Sequence, residues 1–136
     1  MAKFKATLQK VGVLLSVVAV AIATFAVAAT PALADTYAVK MGADNGLLQF
    51  VPNTLTVKPG DTVDFTINSV PPHNVVFDKV PGGDAALAKS LSNTQLLFSK
   101  GQSVSITIPG DAPSGEYDYY CQPHRGAGMA GKLIVE

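Results

Sequence analysis

Four side chains stand out for the chemistry that their types and spacing allow. Cys121, His124 and Met129 fall within nine residues of the segment Tyr119-Tyr120-Cys121-Gln122-Pro123-His124-Arg125-Gly126-Ala127-Gly128-Met129, and His73 lies far upstream in Pro71-Pro72-His73-Asn74. A thiolate, two imidazoles and one weak axial thioether are the donor set of blue-copper electron-transfer sites. Soft sulfur stabilises Cu(I) and imidazole suits both oxidation states, so such a set binds either state without rebuilding the site. Little rearrangement means a low barrier to gaining or losing one electron. The spacing is Cys-x2-His-x4-Met, with Gly126 and Gly128 giving the loop freedom to fold its side chains around one ion.

Each of the four residues also has a plainer use. Cys121 at a strand end is, by itself, most simply a small buried apolar group. His124 is a surface or capping imidazole, His73 ends a proline turn, and Met129 fills core space. Zinc competes for the set, but structural zinc takes four strong thiolate or imidazole donors, and the fourth donor here is a thioether. Copper storage or delivery proteins tend to use Met- or His-rich open sites, whereas Met41 and Met129 are the only methionines beyond the first residue. A copper oxidase or reductase needs an open coordination position or a second copper, and no further Cys or His remains to build one. The expectation is therefore one copper ion in a carrier, not an enzyme, with copper storage or delivery as the alternative.

The elements that would position these groups are β-strands. Val63, Phe65 and Ile67 alternate with polar residues, as do Val104, Ile106 and Ile108, so each run predicts a strand with one buried face. Less regular candidates are Thr36–Met41, Leu48–Val51, Asn74–Phe77, Glu116–Tyr120 and Lys132–Val135. Turn signals such as Asp44-Asn45-Gly46, Pro59-Gly60-Asp61 and Pro109-Gly110-Asp111 separate them. Many short strands with frequent turns predict an antiparallel sandwich or barrel. Ala-rich Asp84–Ser92 predicts one short helix.

Residues 1–34 have the pattern of a cleavable signal peptide. Lys3, Lys5 and Lys10 precede an apolar stretch from Val11 to Ala29, Thr30-Pro31 breaks it, and Ala32-Leu33-Ala34 offers small residues at the two positions a signal peptidase reads. A retained membrane anchor is the competing use of a run this long, but its Ala-rich character and the proline argue against it. No Arg-Arg pair is present, so unfolded, Sec-type export is expected. Residues 35–136 then form the single domain. The whole chain carries ten Lys+Arg and ten Asp+Glu, and the three leader lysines leave with the peptide, so the mature domain is mildly acidic at −3. Nucleic acid is not expected as a partner. An unpaired cysteine in an exported protein is an inert buried thiol, an intermolecular bridge, or a metal or nucleophile thiolate, and the neighbours of Cys121 favour metal.

Pro72-His73-Asn74-Val75-Val76-Phe77-Asp78, the Tyr119–Met129 segment and Gly131-Lys132 resemble the plastocyanin family of cupredoxins, in its cyanobacterial form, as do Gly42-Ala43-Asp44-Asn45-Gly46 and Val51-Pro52. The likeness runs over essentially the whole of residues 35–136. It implies an all-β, cupredoxin-like, eight-stranded antiparallel Greek-key β-sandwich with one short helix, and copper bound by His73, Cys121, His124 and Met129. It implies a soluble, monomeric one-electron carrier between cytochrome f of the cytochrome bf complex and photosystem I, meeting membrane complexes only peripherally. The implied location is the thylakoid lumen, with the periplasm as alternative, and a respiratory terminal oxidase is a further acceptor in the dark. Leu48, Gly46, Pro72 and His124 match the family's flat apolar docking face around the exposed imidazole edge. Tyr120 matches a residue that plant members use at a remote acidic surface. Arg125 stands where plants usually carry Gln and, beside His124, is expected to join the docking surface by pairing with an acidic residue of photosystem I. Asp78–Ala85 lacks consecutive acids, so plant-style acidic steering is not expected. Asn74, next to His73, is expected to hydrogen-bond across to the Cys121 loop and tie the two ligand segments together.

Overall fold

The computed structural model describes residues 33–136. The leader expected over residues 1–34 lies outside the described residues, apart from Leu33 and Ala34.

Nine strands follow in chain order: β1 (Thr36–Met41), β2 (Phe50–Val51), β3 (Thr54–Val57), β4 (Thr62–Ile67), β5 (His73–Lys79), β6 (Asn93–Leu97), β7 (Ser103–Thr107), β8 (Gly115–Tyr120) and β9 (Ala130–Val135). One sheet has the order β2-β1-β4-β7 and the other β3-β9-β8-β5-β6. The strict alternation expected in β4 buries Val63, Phe65 and Ile67 against the opposite sheet. In β8 the inward pair is Tyr117 and Tyr119, and in β5 it is Val75 and Phe77.

The sandwich departs from the expected description in two details. The pairs β1·β4 and β3·β9 are parallel, not antiparallel. Alternating side chains report which face of a strand is buried and carry no information about strand direction. The chain from β1 visits the second sheet through β3 before returning at β4, and that crossing makes the parallel neighbour. The count of nine arises at Val51-Pro52, where one extended stretch divides between the sheets. Pro52 has no N–H to give to a ladder, and β2 pairs with β1 while β3 pairs with β9. β3 and β6 had no counterpart among the expected strands. β6 buries only Leu97, so it carries no period-two pattern, and β3 is four residues long between two proline turns.

The helix α1 (Ala85–Leu91) forms as expected from its composition. The Asp84 carboxylate accepts from the N–H groups of Ala86 and Leu87 at 3.0 and 3.1 Å, satisfying donors that a helix start leaves open. Ala88 and Leu91 are buried. Ser92 ends the helix and ties it to β5, accepting from the Phe77 N–H at 2.9 Å and donating to the Ala88 carbonyl at 2.8 Å.

Behind the site end of the sandwich the core is aromatic. Tyr119 meets Phe50 and Phe65 edge to face, with ring centroids 4.8 and 5.3 Å apart, and Phe77 at 5.3 Å. Edge-to-face contact adds to the burial energy of such rings. Tyr119 lies directly across from Gly131, and a Cβ at Gly131 would sit 2.5 Å from the Tyr119 ring. The ring thus occupies the space a side chain at 131 would need.

The Tyr119 hydroxyl is buried without a hydrogen-bond partner among the described residues. An unpartnered buried hydroxyl costs free energy that a phenyl ring does not. Tyr119→Phe should therefore raise stability by about 1 kcal/mol in denaturant titrations of the copper-loaded protein. A comparable loss would mean that the hydroxyl has a partner.

Candidate metal centre

The sheet register brings His73 and Cys121 together. β5 and β8 are antiparallel neighbours, with Val76 opposite Tyr120 and Phe77 opposite Tyr119. His73 opens β5 and Cys121 directly follows β8, so both stand at one end of the same ladder. From Cys121 the chain makes a short 3-10 turn, Gln122–Ala127, ended by Gly128 at φ +82°. That left-handed backbone suits glycine and strains other residues. Two hydrogen bonds close the loop: Cys121 N–H to the Met129 carbonyl at 3.0 Å and Met129 N–H to the His124 carbonyl at 3.2 Å. His124 and Met129 are returned in this way to the end of the sheet that holds Cys121.

Three potential ligand atoms converge. Cys121 Sγ lies 3.5 Å from His73 Nδ1 and 3.5 Å from His124 Nδ1, and the two Nδ1 atoms are 3.3 Å apart. The circumradius of a triangle with those sides is about 2.0 Å, in the range of metal–imidazole bonds, about 2.0–2.1 Å. The three atoms therefore fit one small ion. His73 Nε2 donates to the Ser69 carbonyl at 2.7 Å, which places the imidazole proton on Nε2 and leaves a lone pair on Nδ1. Cys121, His73 and Met129 are buried, and His124 is half-buried at the surface.

Neighbouring groups hold the ligand atoms in place. The Asn74 side chain accepts from the Gln122 N–H at 2.8 Å and donates to Gln122 Oε1 at 3.0 Å and to the Thr94 carbonyl at 3.1 Å. It thereby spans from the His73 strand to the Cys121 loop and on to β6. Ser69, whose carbonyl orients His73, donates its hydroxyl to the Ala43 carbonyl at 2.6 Å. Gly42 is pressed against Ser69 so closely that a Cβ there would collide with the Ser69 carbonyl. Neither Gly42, Ser69 nor Gln122 was evident from the sequence as part of the site. Their only signal was adjacency to strand ends and ligands, which many residues share.

The expected docking residues divide between two surfaces. Gly46 and Leu48 line a shallow hollow of about 530 Å³ with Leu47, Ala127 and Gly128. Leu48 is half-buried and packs on the core, and its neighbour Leu47, which sequence reasoning passed over, is 56% exposed. Pro72 is half-buried just before His73. Arg125 is not a free charge. Its guanidinium pairs with Asp78 at 2.9 Å and lies over the Tyr120 ring, 3.9 Å from the centroid. Arg125 and Tyr120 thus form one surface unit, held by a cation–π contact and an ion pair.

A two-sheet sandwich carrying a thiol and two imidazoles at one end defines a type 1 copper protein of the cupredoxin class. The chain belongs to the family of copper binding proteins described as the plastocyanin/azurin family, whose pattern matches residues 37–136. It is 59% identical over 105 residues to plastocyanin from a Synechococcus species, covering 77% of this chain and 76% of that one. It is 50% identical over 133 residues to plastocyanin of Nostoc punctiforme, covering 96% of each chain. In three dimensions it resembles oxidised plastocyanin from the fern Dryopteris crassirhizoma, with TM-score 0.62, 32% identity and coverage of 73% of this chain and 99% of that one. The chain is accordingly a copper electron carrier and not an enzyme, and its cofactor is one copper ion.

Two pKa shifts set the proton balance of metal binding. Burial pushes the Cys121 thiol above its ordinary value, against a smaller opposing effect of the Asn74 and His124 backbone N–H groups. Burial lowers the His73 imidazole, with the Ser69 hydrogen bond opposing and His124 adding to the fall. At pH 7.5 the metal-free thiol is therefore protonated and His73 is neutral. Metal binding must expel the thiol proton, so affinity should fall about tenfold per unit of falling pH. Calorimetry of Cu(I) binding in buffers of different ionisation enthalpy should show one thiol proton released at pH 7.5. No proton release would mean that the thiol is not a ligand.

Proposed function

We propose that His73, Cys121 and His124 bind copper directly, that Met129 supplies a weak axial thioether, and that the electron crosses at the half-buried His124 edge. The convergence of His73 Nδ1, Cys121 Sγ and His124 Nδ1 around one point carries this proposal. Copper supplies the one-electron couple. The protein keeps the donors in place in both oxidation states, excludes water from the sulfur, and leaves one ligand near the surface. The buried Met129, tied by its backbone to Cys121 and His124, is suitably placed in the chain for the axial role.

The partners we propose are cytochrome f as donor and photosystem I as acceptor, met in the thylakoid lumen by a monomer whose residues 1–34 have been removed after Sec-type export. The apolar surface around Gly46, Leu47, Leu48 and Pro72 supports short-lived flat docking beside His124, since apolar packing needs no fixed partner geometry. Asn74 acts as the tie between the two ligand segments. Arg125 and Tyr120 supply a separate, polar contact.

Absorption spectroscopy tests the ligands. Cys121→Ser should abolish the intense blue band, which depends on the thiolate–copper bond, while Met129→Leu should keep a coloured site with a changed reduction potential. A blue Cys121→Ser protein would overturn the assignment.

Flash-induced oxidation by photosystem I tests the docking surface. Arg125→Glu leaves Asp78 facing a second carboxylate and should slow transfer at low salt. The deficit should shrink as salt rises, because exposed charges are screened over about 8–10 Å. Leu48→Ala removes packing and should slow transfer with little salt dependence. Wild-type rates for Arg125→Glu at low salt would confine Arg125 to its contacts with Asp78 and Tyr120.

A further inference from the structure

Asp61 is a carboxylate with only 1% of its surface exposed, in the Lys58–Asp61 turn that leads into β4. Its Oδ2 accepts from the Lys58 N–H at 2.8 Å, and its Oδ1 accepts from the Asp35 N–H at 2.9 Å. Both donors are neutral backbone amides, and no cationic group lies within ion-pair distance of it among the described residues. A buried carboxylate held only by neutral donors lacks the counter-charge that such groups usually have. The nitrogen at Asp35 is the one atom on this carboxylate whose charge can change. It belongs to the peptide bond after Ala34, the proposed cleavage position, so this inference rests on the leader assignment.

Hydrolysis there adds water across the Ala34–Asp35 bond. Ala34 leaves with a carboxylate, and the Asp35 nitrogen becomes an ammonium at neutral pH. The Asp35 residue is already fixed, because its carbonyl accepts from the Thr62 N–H at 2.9 Å and Thr36 opens the β1·β4 ladder opposite Thr62. We propose that removal of the leader turns the Asp35–Asp61 hydrogen bond into an ion pair on a buried carboxylate, which adds a charged tie at the start of the existing β1·β4 ladder only once the chain has been processed. The precursor keeps the weaker neutral bond, which favours an export route that needs the chain unfolded, and the mature protein gains the charged bond afterwards. The other charged or titratable groups near Asp61 are Lys58 of its own turn, Tyr37 and the Asp35 side chain. None of their side chains makes a direct bond to the Asp61 oxygens, so the new ammonium is not duplicated.

The test uses the copper-loaded mature chain beginning at Asp35, with a free or an acetylated amino terminus, each with Asp61 and with Asp61→Asn. Acetylation keeps one N–H and removes the charge. It should raise the unfolding equilibrium constant roughly tenfold with Asp61 and less than about twofold with Asp61→Asn, in denaturant titration. Equal effects in the two backgrounds, or no effect in either, would overturn the pairing. A chain extended by Ala34 moves the ammonium one residue away without altering Asp61, and it should be as unstable as the acetylated chain. An extended chain as stable as the free Asp35 chain would also overturn it. Mass spectrometry of the protein recovered after export tests the leader separately. An N-terminus other than Asp35 overturns the coupling to processing and the cleavage position after Ala34, while the acetylation cycle judges the pair itself.

Discussion

Two imidazole nitrogens and a sulfur, each with a lone pair, face one another at 3.3–3.5 Å at the end of the sandwich. A single cation satisfies all three at once, whereas a proton on the sulfur can be shared with only one nitrogen at a time. The fold must therefore bring all three donors within reach of one ion. It does so with rigid parts: His73 and Cys121 are set by the β5·β8 register, and His124 by a closed turn of backbone hydrogen bonds. A site held by strand register resists change between oxidation states, which is the property a one-electron carrier needs.

The support extends outward in layers of decreasing directness. Ser69 fixes the tautomer of His73, and Gly42 makes room for the Ser69 carbonyl. Asn74 satisfies the Gln122 backbone and joins the two ligand segments and β6. Behind them, Tyr119 packs edge to face with Phe50 and Phe65, and rings at that packing density leave little room for the ligand strands to shift. The unpartnered Tyr119 hydroxyl is a local cost within this otherwise satisfied region.

The two surfaces beside the copper ligands differ in physics. Around Leu47, Leu48 and Pro72 the surface is uncharged, with apolar side chains beside Gln49 and Asn53, and its contacts are insensitive to salt. At Arg125 the charge is already engaged by Asp78 and Tyr120. Exposed pairs of this kind contribute little stability. Together the two contacts hold the guanidinium over the Tyr120 ring.

The kind of donors, their spacing within residues 121–129, the β character and the short helix were all legible in the sequence, because each depends on residue type or on short-range periodicity. Val63, Phe65 and Ile67 declare a buried face by alternation, and Asp84 followed by alanines declares a helix start. The approach of His73 to Cys121 was expected from donor chemistry and from the resemblance, not from any local pattern, since 48 residues separate them and no periodicity measures that distance. Strand direction, the division of one extended stretch at Pro52 into β2 and β3, the engagement of Arg125 by Asp78 and the closeness of Gly42 to Ser69 were decided only by tertiary structure. Periodicity tells a strand which side to bury but not which neighbour to join, and long-range pairing is settled only when both sheets close over a common core.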